Sequence, residues 1–324
     1  MGSTGCARGE RLRSLRGRHA ARHALPVSPT VLTQSNAESP DFWRNLCPEL
    51  RIQAPLSRKA FEIDDVEELV QLLRFDGYVN VPGVVPPGEI AQLRACIECL
   101  HERRIPVVFA FVYDEFWLAF QGLTTFLRAA LGEGYRALPD FWVWRVEPSE
   151  RDGGWEPHRD CAAPTLDRDN SPHSLTVWLA LSEVTPLNGC IYVLPAYLDD
   201  RFRRRVWDGD EELFVEDLQN IRALPAVPGS MLAWNHNLLH WGGRASRRAR
   251  EPRLSAAFEF QRGDKPPFNQ PLLDASHWPP FRERLGLIGK QVLQYRHMYT
   301  LTEDMQSIAE SLYRRCMPQS TGNA

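Results

Sequence analysis

Along residues 61–73 the apolar positions recur at helical spacing, with Asp64 and Asp65 set where carboxylates favour a helix N-terminus. Residues 77–81 (Gly-Tyr-Val-Asn-Val) read as a short strand, and Pro86-Pro87-Gly88 punctuates the chain. Residues 89–103 then predict a second helix, with Ile90, Leu93, Ile97 and Leu100 on one face, and residues 114–131 a third, ended by Gly132 and Gly134. The period changes after Pro139. Residues 141–146, 174–182, 189–194, 229–235 and 253–262 are short β-type runs separated by Gly, Pro, Asn and Asp, and residues 278–295 and 302–315 return to helix. This order predicts one α+β domain over residues 41–317: helical at 41–138, a β-barrel or sandwich core at 139–263, and C-terminal helices at 264–317.

Residues 1–40 are rich in Arg, Ser, Ala and Gly without apolar periodicity, so they are expected to be a disordered tail, as are residues 318–324. Residues 1–24 hold six Arg against one Glu, an Arg-rich start that could be an organellar targeting segment; a solvated tail or an early start site is the simpler expectation. The formal charge of −3 gives no overall case for nucleic acid. Asp114 and Glu115 interrupt the longest apolar run, residues 107–113, so no membrane span is expected. Seven scattered cysteines suit a reducing compartment, and the chain is expected to be cytoplasmic. Cys96-x-x-Cys99 with His101 lies in a helical pattern with no second ligand pair, which points away from zinc. Six of the ten tryptophans (Trp142, Trp144, Trp155, Trp178, Trp234 and Trp241) fall in the strand block, where core packing is the expected role; an aromatic-walled cavity has the same composition.

Candidate chemistry begins at His158-Arg159-Asp160. In extended backbone, residues i and i+2 share a face, so one imidazole and one carboxylate converge. After Pro228-Gly229-Ser230 and a short strand comes Asn235-His236-Asn237-Leu238-Leu239-His240-Trp241-Gly242-Gly243, which can return a second His from a neighbouring strand. Two His and one carboxylate with open positions form the facial triad of non-haem Fe(II) oxygenases, and His236 and His240 are both candidates for the third ligand. Arg253 opens a strand whose alternation separates Leu254, Ala256, Phe258 and Phe260 from Arg253, Ser255, Ala257 and Glu259. A polar face led by Arg suits a binding interior, where a guanidinium grips a carboxylate with two hydrogen bonds.

Residues 178–195 (WLALSEVTPLNGCIYVLP), following His158-x-Asp160, resemble the signature of the phytanoyl-CoA dioxygenase family. Phe75-Asp76-Gly77-Tyr78-Val79 and the helix after Pro86-Pro87 extend the resemblance, which covers roughly residues 62–262. It implies a double-stranded β-helix, a jelly-roll barrel of the cupin kind, with Fe(II) at its mouth, 2-oxoglutarate as cosubstrate and O2 as oxidant. Carried over, it makes His158, Asp160 and His240 the iron ligands, Arg253 the partner of the distal 2-oxoglutarate carboxylate, and Trp178 a wall against the cosubstrate. His240 is favoured over His236 because it precedes a Gly-containing turn, as the family's ligand does. The chain departs from the family at Ala196-Tyr197-Leu198, where Gly-Ser-His is usual, and at Gly242, where Ser is frequent. Asp160 argues against halogenation, because halogenating relatives carry a small residue there.

The expected function is therefore a non-haem Fe(II)- and 2-oxoglutarate-dependent dioxygenase that hydroxylates a C–H bond of a small molecule, with release of succinate and CO2. The alternatives are an oxygenase on the same barrel that does not use 2-oxoglutarate, and a non-catalytic binding protein that kept the barrel. Substrate identity and oligomeric state are not legible in the residues.

Overall fold

The strand block opens earlier than the alternation suggests. In the computed structural model, which describes residues 32–53, 57–148, 154–161, 165–203, 215–299 and 301–317, strand β2 runs Arg136–Val146 and passes through Pro139. β1 is Tyr78–Val81, and the strands after β2 are β3 (Ser174–Ala180), β4 (Ile191–Leu194), β5 (Arg222–Leu224), β6 (Met231–Asn235), β7 (Leu239–Gly242) and β8 (Arg253–Gln261). Proline lacks the N–H that a ladder needs, and it is accommodated here by a bulge. Between the pairs Ala137–Phe260 and Phe141–Phe258, three residues of β2 face the single residue Glu259 of β8.

All pairings are antiparallel, in a five-stranded sheet ordered β1-β6-β3-β8-β2 and a three-stranded sheet ordered β5-β4-β7. The expected alternation decides what each face meets. Leu175, Val177 and Leu179 of β3 and Leu254, Ala256, Phe258 and Phe260 of β8 join the main hydrophobic core. Trp178 and Ala180 of β3 and Ala257 of β8 turn the other way, into a second cluster with Ile191 and Val193 of β4 and Leu224 of β5. The space between the sheets is therefore lined by the opposite face of the same strands.

Helices build the outer layer: α1 (Gln34–Ala37), α2 (Pro40–Leu46), α3 (Val66–Asp76), α4 (Pro87–Glu102), α5 (Asp114–Gln121), α6 (Thr124–Leu131), α7 (Phe281–Gln294) and α8 (Glu303–Cys316). Residues 1–31 and 318–324 of the expected tails lie outside the described residues. Residues 32–40 do not continue the tail. Thr33 caps α1, Leu32 and Ala37 are buried, and Gln34 donates a hydrogen bond to Ser311 of α8 at 2.9 Å. The expected helix 61–73 starts later, at Val66, because Phe61 packs into the core instead. The expected single helix 114–131 is two helices, broken where the Phe61 ring crosses Gly122; a Cβ there would lie 2.3 Å from the ring. Gly289 likewise lets α7 press against α8, since a Cβ would meet the Ala309 carbonyl at 2.6 Å. Among the described residues no helix is long and apolar enough to cross a membrane.

The helical layer is pinned by a buried ion pair. Arg284 of α7 donates to Asp114 of α5 at 2.6 Å and to the carbonyls of Pro279 and Val112, while Asp114 also accepts from the Gln53 amide. Both side chains are almost fully excluded from solvent, and their full set of hydrogen bonds is what makes such a pair tolerable.

Candidate active site

The segment carrying His158 and Asp160 extends the small sheet past its last strand. His158 and His240 exchange both backbone hydrogen bonds at 3.0 Å, which brings the two imidazoles together, tilted by 49° with 4.4 Å between ring centres. Asp160 then points to the same side as His158, as the i, i+2 rule requires. Its Oδ1 lies 3.6 Å from His158 Nε2 and 3.6 Å from His240 Nε2. The three donor atoms all lie within 4.8 Å of one another.

The other side of each ligand is already engaged. His158 Nδ1 is 2.8 Å from the Glu156 carbonyl and His240 Nδ1 is 3.0 Å from the Leu238 carbonyl. A carbonyl can only accept, so each ring carries a proton on Nδ1 and turns Nε2 to the centre. Asp160 Oδ2 accepts from Thr176 Oγ1 at 2.7 Å and from Trp234 Nε1 at 3.0 Å, which fixes the carboxylate with Oδ1 turned inward. Burial pushes the His240 imidazole down to about 4, so it is neutral near pH 7. Burial on its own would raise the Asp160 carboxyl, but the His240, His158 and His236 imidazoles outweigh it and hold the group well below the ordinary carboxylate range. Two imidazoles and one carboxylate, each oriented by an outer hydrogen bond, fit a divalent transition ion.

A cavity of about 250 Å3 opens beside this centre, bounded by His158, Asp160, His240, Trp178, Arg253 and Glu259. Arg253 is 2 % exposed, donates to Ser255 Oγ at 2.9 Å, and sits with its guanidinium 5.6 Å from the Trp178 ring centre. Arg244, Arg247, Arg248 and Arg250 are exposed. Trp142, Trp144, Trp155 and Trp234 complete the wall, so most of the strand-block tryptophans line a cavity rather than fill the main core; Trp241 instead stacks on Tyr192. The core role falls to Trp43, Trp117 and Trp278. A wider cavity of about 650 Å3 adjoins, sharing Trp144, Trp155, Arg253 and Met298.

His236 is brought near but not into the first group. It is buried at the end of β6, with Nε2 3.9 Å from Glu259 Oε2, and forms a separate group with Asp160 and Glu259. Thr176, Trp234, Glu259 and Tyr295 were not among the expected site residues. Thr176 and Glu259 could have been found by continuing the alternation of β3 and β8; Tyr295 reaches the cavity from the end of α7, which no local pattern announces. The Cys96-x-x-Cys99 motif belongs to the helical core: Cys96 is buried in α4, and Cys99 donates to the Leu46 carbonyl at 3.2 Å.

The model of the phytanoyl-CoA dioxygenase family matches residues 124–251, a span that contains His158, Asp160 and His240. No curated protein sequence matches the chain. Among solved structures, the epimerase SnoN in complex with Fe3+, alpha ketoglutarate and nogalamycin RO is 22% identical, with 66% of this chain and 94% of SnoN covered and a TM-score of 0.50. The apo form of the non-heme monooxygenase ThoJ is 16% identical, with 76% and 99% covered and a TM-score of 0.52. These two likenesses establish a common fold. Over residues 124–251 the chain is thus similar to the phytanoyl-CoA dioxygenase family, whose enzymes depend on Fe(II), 2-oxoglutarate and O2.

Proposed function

We propose that this chain is a dioxygenase in which His158, Asp160 and His240 hold Fe(II), Arg253 holds the distal carboxylate of 2-oxoglutarate, Trp178 walls the cosubstrate, and a small molecule is hydroxylated at a C–H bond. The two antiparallel sheets are read as a double-stranded β-helix within a single domain that ends near residue 317. One observation carries the assignment: a single oxygen, Asp160 Oδ1, stands 3.6 Å from the Nε2 atoms of two imidazoles whose Nδ1 sides are tied to backbone carbonyls.

Iron with 2-oxoglutarate and O2 supplies the oxidising power, yielding succinate, CO2 and one oxygen atom for the substrate. The chain's own residues do the positioning. Thr176 and Trp234 hold Asp160 so that one oxygen is left for the metal. Ser255 fixes the Arg253 guanidinium in a dry strand face, where a bidentate grip on a carboxylate is worth more than in water. The tryptophan wall gives the reacting position an apolar surround. His158 and His240 sit on backbone paired in a bridge and a strand, and side-chain hydrogen bonds hold the Asp160 carboxylate, so the metal geometry is set before anything binds.

The test needs no substrate. Metal-free protein is loaded with Fe(II) without oxygen and titrated with 2-oxoglutarate while the visible metal-to-ligand charge-transfer band is followed. A saturable band, lost in His158→Ala and weakened in Arg253→Ala, is expected, followed by a substrate screen scored by succinate. Iron-loaded, folded protein that gives no band would overturn the cosubstrate assignment, and folded protein that takes no iron would overturn the metal site.

A further inference from the structure

The cavity face of β8 has opposite charges at its two ends. Arg253 stands at one end and Glu259 at the other, with Ser255 and Ala257 between them on the same face. The Arg253 end is accounted for by the cosubstrate. The Glu259 end is not.

Glu259 has a cavity-facing carboxylate that accepts no hydrogen bond from any described residue; His236 Nε2 lies 3.9 Å from its Oε2. His236 is 2 % exposed, and that nitrogen has no hydrogen-bond partner. The ring's other nitrogen faces the Leu175 backbone, and burial lowers the tendency of the imidazole to take up a second proton. Neither group at this end is met by a hydrogen bond from a described residue, and an unmet buried polar group is costly. The neighbours that could have met them are engaged elsewhere. Lys290 Nζ donates to Gln294 at 2.6 Å, and Asn269 and Tyr295 donate to Asp140, which the β2 bulge places opposite Glu259. Burial, with the Asp140 and Asp160 carboxylates close by, pushes the Glu259 carboxyl well above its ordinary range, a penalty that a cation held against it would relieve. The wall is aromatic: Trp142 and Tyr295 meet edge to face at 5.3 Å. A carboxylate among aromatic faces is a receptor for a positively charged nitrogen.

We propose that Glu259, backed by His236, is a subsite for a cationic N–H donor of the substrate, an ammonium or guanidinium group, at the end of the cavity opposite Arg253. The substrate is then an organic cation or zwitterion whose charged nitrogen is held at Glu259 while a nearby carbon faces the metal. This rests on the Fe(II)/2-oxoglutarate reading for its orientation, but the subsite can be tested separately.

The probes are n-butylammonium and its neutral near-isostere n-pentanol, titrated into Fe(II)- and 2-oxoglutarate-loaded protein without oxygen. Binding is followed both by the charge-transfer band and by tryptophan fluorescence. The ammonium is expected to bind at least tenfold more tightly than the alcohol, and this ratio should fall to near one in Glu259→Gln; comparing the two probes within one protein removes any general effect of the substitution. A wild-type ratio near one, or no ammonium binding up to 100-fold excess over the alcohol's half-saturation, would overturn the subsite even with the cosubstrate band intact. Absence of the band with an ammonium-selective fluorescence change would instead sink the cosubstrate reading and leave the subsite standing. Mn(II) titration gives the remaining arm. One ion per chain is expected; two, with one lost in Glu259→Gln, would overturn the proposal by making Glu259 and His236 ligands of a second metal.

Discussion

His158 and His240 are each other's backbone partners: the N–H of each donates to the carbonyl of the other at 3.0 Å, so the spacing of the two imidazoles is set by main chain rather than by side-chain packing. His236, four residues earlier, makes no such reciprocal pair with His158; its carbonyl accepts from the Cys161 amide at 3.2 Å. The pair therefore separates ligand from neighbour. His240→Ala is expected to lower Fe(II) or Mn(II) affinity by at least 100-fold, with equilibrium dialysis as the measure, whereas His236→Ala should stay within tenfold. Equal losses would refute the assignment of His240.

The hydrogen bonds to the far oxygen of Asp160 make a second prediction. Thr176→Val keeps the shape of the side chain and removes the donor at 2.7 Å, leaving Trp234 to hold the carboxylate alone. Metal affinity or turnover is expected to fall about 10–100-fold, the usual cost of losing an outer hydrogen bond to a ligand. A Thr176→Ser variant should recover most of it. Failure of serine to rescue would mean that the threonine methyl, not the hydroxyl, matters.

Arg253→Lys keeps the charge and loses the fork. A lysine makes point contacts where the guanidinium makes two parallel bonds. The expected result is a roughly 10–100-fold rise in KM for 2-oxoglutarate with a smaller change in kcat, from the worth of hydrogen bonds between charged groups. An unchanged KM would remove Arg253 from cosubstrate binding.

The sign of the pH dependence follows from His240. Its imidazole is lowered from 6.5 to about 4 by burial, so the unfolded chain takes up a proton near pH 6.5 and the native one only near pH 4. Metal-free protein should have full stability above pH 6.5 and lose it as pH falls towards 4, with an effect on the order of a few kcal/mol. Asp160, also held low, adds a loss in the same direction at more acid pH. Urea unfolding between pH 4 and 7.5 checks this, and His240→Asn should flatten the slope. A mutant curve as steep as the wild type would assign the titration elsewhere.

Away from the site, Asp114→Ala strands the buried Arg284 guanidinium. Breaking one side of such a pair costs about 3–5 kcal/mol, which should appear as a lower urea midpoint at unchanged slope. Metal affinity at 25 °C should be retained wherever the variant is folded.

The parts of this molecule that could be read from sequence are those with a strict period. The alternation of β3 and β8 identified both the core face and the site face, and the i, i+2 spacing of His158 and Asp160 placed two donors together before any coordinates were in hand. Two short strands were not legible. β7 holds only Leu239–Gly242 and β5 only Arg222–Leu224, and neither has the β-branched run that marks the equally short β1 and β4. α1 and α2 were missed because their burial depends on partners far along the chain, as in the bond from Gln34 to Ser311. The bulge that turns Asp140 towards Glu259 was hidden because Pro139 reads as a strand boundary.

The two-faced character of β8 also governs which changes of length the gene can tolerate. Deleting or inserting one residue within β8 upstream of Glu259 would exchange its faces, sending Phe258 and Phe260 into the cavity and Glu259 into oil. A substitution there changes one contact, whereas a single-codon slip inverts core and pocket together. New activities on this scaffold are therefore expected to be reached by point changes on β3 and β8, with insertions confined to the loops that leave them.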